Sequence, residues 1–139
     1  MRYLAIDYGT KSTGLAICDP SETIVSPLAV LPNGKDLAAK ISEIIKTESV
    51  SAIVFGLPLN MDGSSGNQAK IVQDFAGNLV KMVTVPVYLQ DERLSTFAAQ
   101  EKLLAADLTR KKKRKRIDAV AAAEILQAFL DSKRPPQGR

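Results

Sequence analysis

The stretch that decides the fold of this chain is residues 3–18, YLAIDYGTKSTGLAIC. The apolar run Tyr3 to Ile6 predicts a β-strand, and Leu15 to Cys18 predicts a second one. The segment between them, DYGTKSTG, begins with an acid, Asp7, and contains a glycine near each end, Gly9 and Gly14. The pattern therefore predicts a β-hairpin with a carboxylate at its mouth.

Working outward, apolar and alternating runs predict five strands, with helical periodicity between the later ones. The predicted strands are residues 2–6, 14–18, 23–31, 50–55 and 83–89, and the predicted helices are residues 36–47, 67–82, about 96–106 and 118–130. Ser65 and Gln68 form a predicted capping box for the second helix. A three-strand meander followed by alternating helix and strand predicts parallel crossovers. We expect one α/β domain over residues 1–132, with a five-stranded mixed sheet flanked by helices, and a disordered tail over 133–139.

Composition excludes several kinds of chemistry. The 139 residues include no histidine and one cysteine, Cys18. Imidazole acid-base catalysis, zinc sites built from His and Cys, and an internal disulfide are therefore excluded. Cys18 lies in an apolar strand, so we expect it to pack in the core. The chain has no basic and apolar leader, and no apolar stretch approaches the roughly 20 residues that span a bilayer, so we expect a soluble cytoplasmic protein.

Three acidic residues that are far apart in sequence each stand at an element boundary: Asp7, Glu92 and Asp118. Asp7 follows the first predicted strand, and Glu92 follows the fifth one in the string LQDERLST. The ends of two strands can present acids on one rim of a sheet. Asp118 comes directly before the final alanine-rich helical pattern, which would place it in or near a first turn, where the helix dipole favours an acid.

Convergent carboxylates are sufficient to hold Mg²⁺ or Mn²⁺, because these ions take hard oxygen ligands. Two such ions about 3.5–4 Å apart can activate a water molecule and stabilise the leaving oxygen of a phosphodiester. The three acids therefore predict a nuclease that depends on two divalent ions. The alternative is that each acid is a turn former, a helix cap or a solvated group. Asp91 also competes with Glu92 as a ligand, since adjacent residues of a strand face opposite ways.

The positive charge of the chain is concentrated in one run, RKKKRKR, from Arg110 to Arg116. The formal net charge is +4, and this run contributes +7, so the remaining residues sum to −3. A run of like charges is often a solvated, mobile segment. Directly before Asp118, it can instead offset the repulsion between a carboxylate site and the phosphates of a nucleic acid. Few aromatic residues are available for base stacking, so recognition of backbone or shape is favoured.

Polar residues near the three acids complete the candidate site. Thr10 and Lys11 offer a hydroxyl and a cation in the hairpin loop, Asn60 follows the fourth strand in GLPLNMDG, and Arg93 follows Glu92. A hairpin loop also recruits such residues for turn formation alone. The full set of candidate substrate-binding residues is Thr10, Lys11, Asn60, Arg93, Arg110, Lys111, Lys112, Lys113, Arg114, Lys115 and Arg116.

These residues resemble one family, the YqgF/RuvX nucleases, which are described as Holliday junction resolvases and as pre-16S rRNA nucleases with a ribonuclease H-like fold. The resemblance rests on LAIDYGTKSTGLAI, VFGLPLNMDG, VYLQDERLST and RIDAVAAAEIL, in the family's order and spacing over nearly the whole chain. It implies that Asp7, Glu92 and Asp118 are the catalytic acids, with Lys11 and Arg93 in support. The chain departs from the family pattern in the density of its basic run.

The resemblance implies structured RNA or branched DNA as the partner, and either a monomer or a weak homodimer. Maturation of the 5′ end of pre-16S rRNA is our first expectation, and resolution of a four-way DNA junction is the alternative. A rival enzyme class is the sugar kinases and actin-like ATPases, whose first phosphate loop resembles Asp-x-Gly-Thr, although those folds need two such domains. A non-enzymatic rival is a nucleic-acid-binding module that keeps the fold without turnover.

Overall fold

The computed structural model describes residues 1–58, 66–91 and 110–133, and in the last range it describes side chains from residue 119 onward. Within these ranges five strands form one sheet. Their bounds are β1 Tyr3–Tyr8, β2 Ser12–Cys18, β3 Val25–Pro32, β4 Ala52–Leu57 and β5 Val87–Asp91. The strand order is β3-β2-β1-β4-β5.

The sheet is mixed, as the sequence predicts. β2 is antiparallel to both β1 and β3, whereas β4 is parallel to β1 and β5 is parallel to β4. β1, β3, β4 and β5 therefore all end at the same edge of the sheet, which we call the carboxyl rim. The predicted meander and the predicted parallel crossovers are both confirmed.

Three helices in the described part of the chain cover the two faces of this sheet. They are α1 Leu37–Thr47, α2 Asn67–Val80 and α3 Arg110–Lys133. Leu37 and Ile41 of α1, with Val72 and Leu79 of α2, pack on one face of the sheet. Residues of α3, including Ile125, pack on the other face. Burial of these apolar side chains holds each layer against the sheet.

Helix α3 runs antiparallel to β1. Phe129, near its C-terminal end, meets the ring of Tyr3 at the start of β1 with a centroid distance of 5.2 Å. Lys133, its last residue, donates to the Tyr3 hydroxyl and forms an ion pair with Glu22 at 3.1 Å. The N-terminal half of α3 therefore extends toward the carboxyl rim. This direction brings the segment that contains Asp118 to the edge of the sheet at which β1 ends.

The alanines of α3 allow it to lie close to the sheet. Ala122 is fully buried among residues of β1, β2 and β4. We expect Ala122→Leu to lower the free energy of unfolding by about 1–3 kcal/mol, because the added methylenes force the helix away from the sheet. Urea denaturation measures this change, and Ala39→Leu on the exposed surface of α1 is the matched control. Equal stability of the two variants would contradict the close packing of α3.

The predicted start of the last helix, at residue 118, is wrong. The α3 backbone is helical from Arg110, so the whole basic run lies inside the helix and Asp118 lies more than two turns from its first residue. Asp118 is therefore too far from the helix terminus to gain from the N-terminal dipole, which acts within the first turn. Lysine and arginine are good helix formers, and adding a turn to an existing helix is easier than nucleating one.

Other boundaries differ from prediction by a few residues. The fifth strand starts at Val87 rather than at residue 83, because Pro86 precedes it and lacks the N–H of a regular ladder residue. The predicted capping box is wrong, since Gly66 is the N-cap of α2 and it makes no side-chain capping bond. The predicted helix at about residues 96–106 lies outside the described residues. Lys133, which the sequence places in the tail, is the last residue of α3, and 134–139 also lie outside the described residues.

Cys18 is a core residue, as predicted. Its side chain is buried on the α3 side of the sheet, and its sulfur accepts a hydrogen bond from the Tyr3 N–H at 3.3 Å. Burial raises the pKa of the thiol. The thiolate that nucleophilic chemistry requires is therefore disfavoured at this position.

The turn between β2 and β3, at the edge opposite the carboxyl rim, is held by Asp19. Its carboxylate accepts hydrogen bonds from the Thr23 and Ile24 N–H groups at 2.7 and 2.9 Å and from the Thr23 hydroxyl at 2.6 Å. The Ile24 N–H contributes most, and together these bonds lower the pKa of Asp19 to about 2. The charged carboxylate is therefore part of the folded turn.

This turn predicts a pH dependence of stability. The pKa of Asp19 is lower in the folded protein than its ordinary value of 3.8, so the charged carboxylate stabilises the folded state at pH values above 3.8. This contribution to the free energy of unfolding is lost as the pH falls toward 2. Asp19→Asn should therefore be less stable than the wild type at pH 6, and the difference should shrink below pH 4. Urea midpoints at pH 6, 4 and 3 measure it. A difference that stays constant over this range would contradict the assignment.

None of the helices in residues 1–58, 66–91 and 110–133 is both long and apolar enough to cross a membrane.

Candidate active site

Asp7 is the second-last residue of β1 and lies at the carboxyl rim. The predicted strand ended one residue before it, whereas the observed strand continues through Tyr8 and pairs Asp7 with Gly14. Side chains alternate along a strand, and Tyr3 and Ala5 both face α3, so Asp7 also lies on the α3 side. Its side chain is half-buried. β1 therefore carries a carboxylate onto the sheet face that α3 covers.

Glycines stand on both sides of Asp7 in the sheet. Gly14 is its cross-strand partner on β2. On the other side, Ile6 pairs with Phe55, so the next residues of these parallel strands, Asp7 and Gly56, lie side by side. Laterally neighbouring residues project toward the same face of a sheet, and glycine has no side chain to project. Neither neighbour therefore places a side chain beside the Asp7 carboxylate, and both glycines are themselves buried.

The backbone position of Asp118 falls on the helical face of α3 whose later residues pack on the sheet. It precedes the buried residues Ala122 and Ile125 by four and seven residues, which is the spacing of one helical face. Because α3 runs antiparallel to β1, this backbone position is nearer the carboxyl rim than Ala122 is. The structure therefore brings the Asp118 position toward the end of β1 that carries Asp7, whereas the side chain of Asp118 lies outside the described set.

Glu92 also lies outside the described residues, but its neighbour in sequence is described. Asp91 is the last residue of β5 and pairs with Leu57, the last residue of β4. The preceding residues define the two sides of the strand. Tyr88 faces α3, since its ring lies 5.5 Å from that of Phe129, while Val87 packs with the core on the opposite side. Alternation then places Asp91 on the same side as Val87.

The described side chains do not by themselves form a metal centre. Among them, no group of three or more His, Cys, Asp or Glu residues is close enough to hold an ion. Asp7 is the member of the predicted triad whose side chain is described. It offers the hard oxygen donors that Mg²⁺ and Mn²⁺ prefer.

The hairpin that follows Asp7 is tighter than the sequence suggests. β1 ends at Tyr8 and β2 begins at Ser12, so the turn spans residues 9–11. The Gly9 N–H donates to the Ser12 carbonyl at 3.0 Å. A β-carbon at Gly9 would lie 2.5 Å from that oxygen, which explains the glycine. Thr10 and Lys11, two of the predicted substrate contacts, are exposed at the tip of this hairpin on the carboxyl rim.

Sequence reasoning missed Asn33, which follows β3 at the same rim. Its side-chain amide donates to the Gly9 carbonyl at 2.8 Å and accepts from the Thr13 hydroxyl at 2.6 Å. Its backbone N–H donates to the Lys11 carbonyl at 3.0 Å. Asn33 is 24 residues from Gly9, so no local pattern reveals this contact. The Asn-Gly pair that it forms with Gly34 is itself a common turn signal.

Gln68 contributes a second contact at the end of β1. The predicted role of this residue was in a capping box, whereas its amide donates to the Tyr8 carbonyl at 3.3 Å. The Tyr8 ring stacks on that of Phe75 from α2, with a centroid distance of 4.4 Å and an interplanar angle of 14°. Two residues of α2, Gln68 and Phe75, therefore hold Tyr8, the residue next to Asp7.

The remaining predicted contacts are less defined. Asn60 and Arg93 lie outside the described residues. The seven basic residues 110–116 have a described helical backbone, and their side chains are outside the described set. At a rise of 1.5 Å per residue, they span about 10 Å of α3 on its N-terminal side. This segment continues from the packed part of the helix in the direction of the carboxyl rim.

Solved structures with a similar fold are Holliday junction resolvases. The structure titled "T. thermophilus RuvC in complex with Holliday junction substrate" has a TM-score of 0.56 at 18% identity, over 95% of this chain and 96% of that chain. The Fowlpox virus resolvase, solved with Holliday junction DNA, has a TM-score of 0.54 at 13% identity, over 95% of this chain and 98% of that chain. These similarities support the predicted ribonuclease H-like fold.

Curated relatives are similar over their whole length. Proteins of Bacillus thuringiensis, Bacillus cereus and Bacillus anthracis named "Putative pre-16S rRNA nuclease" are 42% identical over 137 residues, which cover 96% of this chain and 100% of each relative. The family model described as "RuvX: Holliday junction resolvase" matches residues 1–132. On this match and this identity, the chain belongs to the RuvX family.

Proposed function

We propose that this protein is a nuclease that hydrolyses phosphodiester bonds of structured nucleic acid, with pre-16S rRNA as its substrate. The observation that carries the proposal is the position of Asp7 at the carboxyl rim, between Gly14 and Gly56, on the face covered by α3. Relatives that share 42% of its residues and match over their full length are named as pre-16S rRNA nucleases, which supports the choice of substrate.

Asp7, Glu92 and Asp118 are the proposed ligands of two Mg²⁺ or Mn²⁺ ions. Support comes from Asp7 on β1, from the backbone position of Asp118 on the helical face of α3 whose later residues pack on the sheet, and from the end of β5 at Asp91, directly before Glu92. When bound, such ions supply an activated water molecule and stabilise the leaving oxygen.

The other residues of the chain are assigned to binding and orientation of the substrate. Lys11, exposed at the hairpin tip, binds a phosphate beside the acids, with Thr10 as a neighbouring hydroxyl donor. The basic segment of α3 from Arg110 to Arg116 binds flanking phosphates and offsets their repulsion from the carboxylates. Asn60 and Arg93, which follow β4 and β5 in the sequence, complete the proposed contacts.

The proposal is tested by cleavage of two substrates in parallel. Purified protein is incubated with Mn²⁺ or Mg²⁺ and either an end-labelled pre-16S rRNA fragment or a four-way DNA junction. We expect cleavage of the RNA at the mature 5′ end and no cleavage after the ions are removed with EDTA. Binding of both substrates without cleavage of either one would overturn the proposal and favour a binding module.

Resolution of a four-way DNA junction is the second candidate. The description of the matching family model favours it. Symmetric cleavage of a junction requires two active sites, so this function also calls for a homodimer, whereas RNA trimming can be done by a monomer. Cleavage of the junction alone, with the protein sedimenting as a dimer, would replace the first proposal with this one.

A further inference from the structure

Asn33 makes three hydrogen bonds to the hairpin that joins β1 and β2. Its amide nitrogen donates to the carbonyl of Gly9, where the turn begins, at 2.8 Å. Its backbone N–H donates to the Lys11 carbonyl at the tip, and its amide oxygen accepts from Thr13 on the returning strand at 2.6 Å. One residue therefore holds both arms and the tip of the turn.

The arrangement requires an asparagine amide. The Gly9 carbonyl can only accept a hydrogen bond, so it needs a donor from the side chain opposite. The Thr13 side chain is fully buried, and a buried hydroxyl without a partner is costly. The Asn33 amide supplies one donor and one acceptor and so satisfies both groups. Aspartate has the same shape, but at neutral pH it offers only acceptors and would face the Gly9 carbonyl with a like partial charge.

The clamp acts on the part of the chain that connects Asp7 to Lys11. Gly9 and Lys11 are two and four residues from Asp7, and both are bonded to Asn33. A second clamp holds a turn at the opposite edge of the sheet, where the Asp19 carboxylate accepts hydrogen bonds from the backbone of the β2–β3 turn. The two clamps hold the turns at opposite ends of β2, and the one made by Asn33 adjoins the candidate site. The two residues therefore form a matched pair for experiment.

We propose that Asn33 is a positioning residue that holds the Thr10–Lys11 tip of the hairpin at a fixed position relative to Asp7. In this position the Lys11 ammonium binds the phosphate next to the cleaved bond. This inference rests on the proposed nuclease function. Without the clamp, the tip moves relative to β1. Misplacement of a substrate-binding group by about 1 Å can lower a rate by about 100-fold.

The test is a double-mutant cycle on kcat/KM for cleavage of the RNA substrate. We expect Asn33→Ala to lower kcat/KM by about 10- to 100-fold in protein that is shown to be folded by circular dichroism. Because Asn33 acts through Lys11, the Asn33→Ala substitution should have little further effect once Lys11 is alanine. We expect kcat/KM of the double variant to be lower than that of Lys11→Ala by less than about twofold. Two losses that multiply would overturn the inference, since independent sites add in free energy.

Asp19→Asn is the control for destabilisation alone. It removes a charged turn clamp from the same sheet, and we expect its kcat/KM to equal that of the wild type at a temperature at which both are folded. If Asn33→Ala does not fold, Asn33→Asp replaces it, because it keeps the side-chain volume and the acceptor for Thr13. Full activity in a folded Asn33 variant would overturn the inference.

The outcome for Asn33 is separable from that for the proposed function. If the wild type cleaves neither substrate, the nuclease proposal fails and the inference fails with it. If the wild type cleaves and Asp7→Asn does not, while folded Asn33→Asp cleaves at the wild-type rate, then only the positioning role is overturned.

Discussion

Asp7→Asn should abolish cleavage while leaving nucleic-acid binding intact. Asparagine matches aspartate in size, so the β1 end and its pairing with Gly14 are retained. The substitution removes the negative charge and one anionic oxygen, and with them the strong donor for a divalent ion. Loss of a single electrostatic contact in an active site costs about 100- to 1000-fold in rate. We expect a loss of at least that size in single-turnover cleavage.

Affinity should change in the opposite direction or not at all. Asp7 repels the phosphates of the substrate, so neutralising it removes an unfavourable interaction. Fluorescence anisotropy with labelled RNA in the presence of EDTA measures binding without turnover. Asp74→Asn, on the exposed surface of α2, is the matched control and should cleave normally. Wild-type cleavage by Asp7→Asn would show that Asp7 is not part of the chemistry.

Neutralising the lysines of the basic segment should weaken nucleic-acid binding to a similar extent whatever the nucleotide sequence. The variant carries glutamine at Lys111, Lys112, Lys113 and Lys115, which preserves helix propensity and removes four charges. Each phosphate contact contributes about 0.7–0.9 to the slope of log affinity against log salt concentration. If all four lysines contact phosphates, the slope should fall by about 3. Affinity at moderate salt should fall by about 100-fold or more.

Salt titrations of binding, followed by anisotropy, measure both quantities. Lys46→Gln/Lys81→Gln is the control, because these exposed lysines lie at the C-terminal ends of α1 and α2, away from the carboxyl rim. Circular dichroism checks that the α3 helix is retained. An unchanged salt slope in the fourfold variant would exclude the basic segment from the nucleic-acid interface.

The N-terminal part of α3 shows why the local sequence pattern predicted the wrong start for this helix. A run of seven like charges suggested a break between the basic segment and the final helix. The helix instead includes the run, because its anchored half from Ala119 to Lys133 packs on the sheet and provides the nucleus from which earlier turns extend. As a result, Asp118 lies inside the helix rather than in its first turn, where the sequence pattern places it.

The five strands and the placement of Asp7 at a strand end follow from the sequence alone, because alternating and apolar runs are local signals. The mixture of antiparallel and parallel strands also follows, because a hairpin joins antiparallel strands and a crossover helix joins parallel ones. Only the tertiary structure decided that Gly14 and Gly56 flank Asp7 and that Asn33 clamps its hairpin. Those contacts depend on strand register and on residues more than 20 positions apart in the case of Asn33 and Gly9. Register is set by the packing of whole faces, not by any segment by itself.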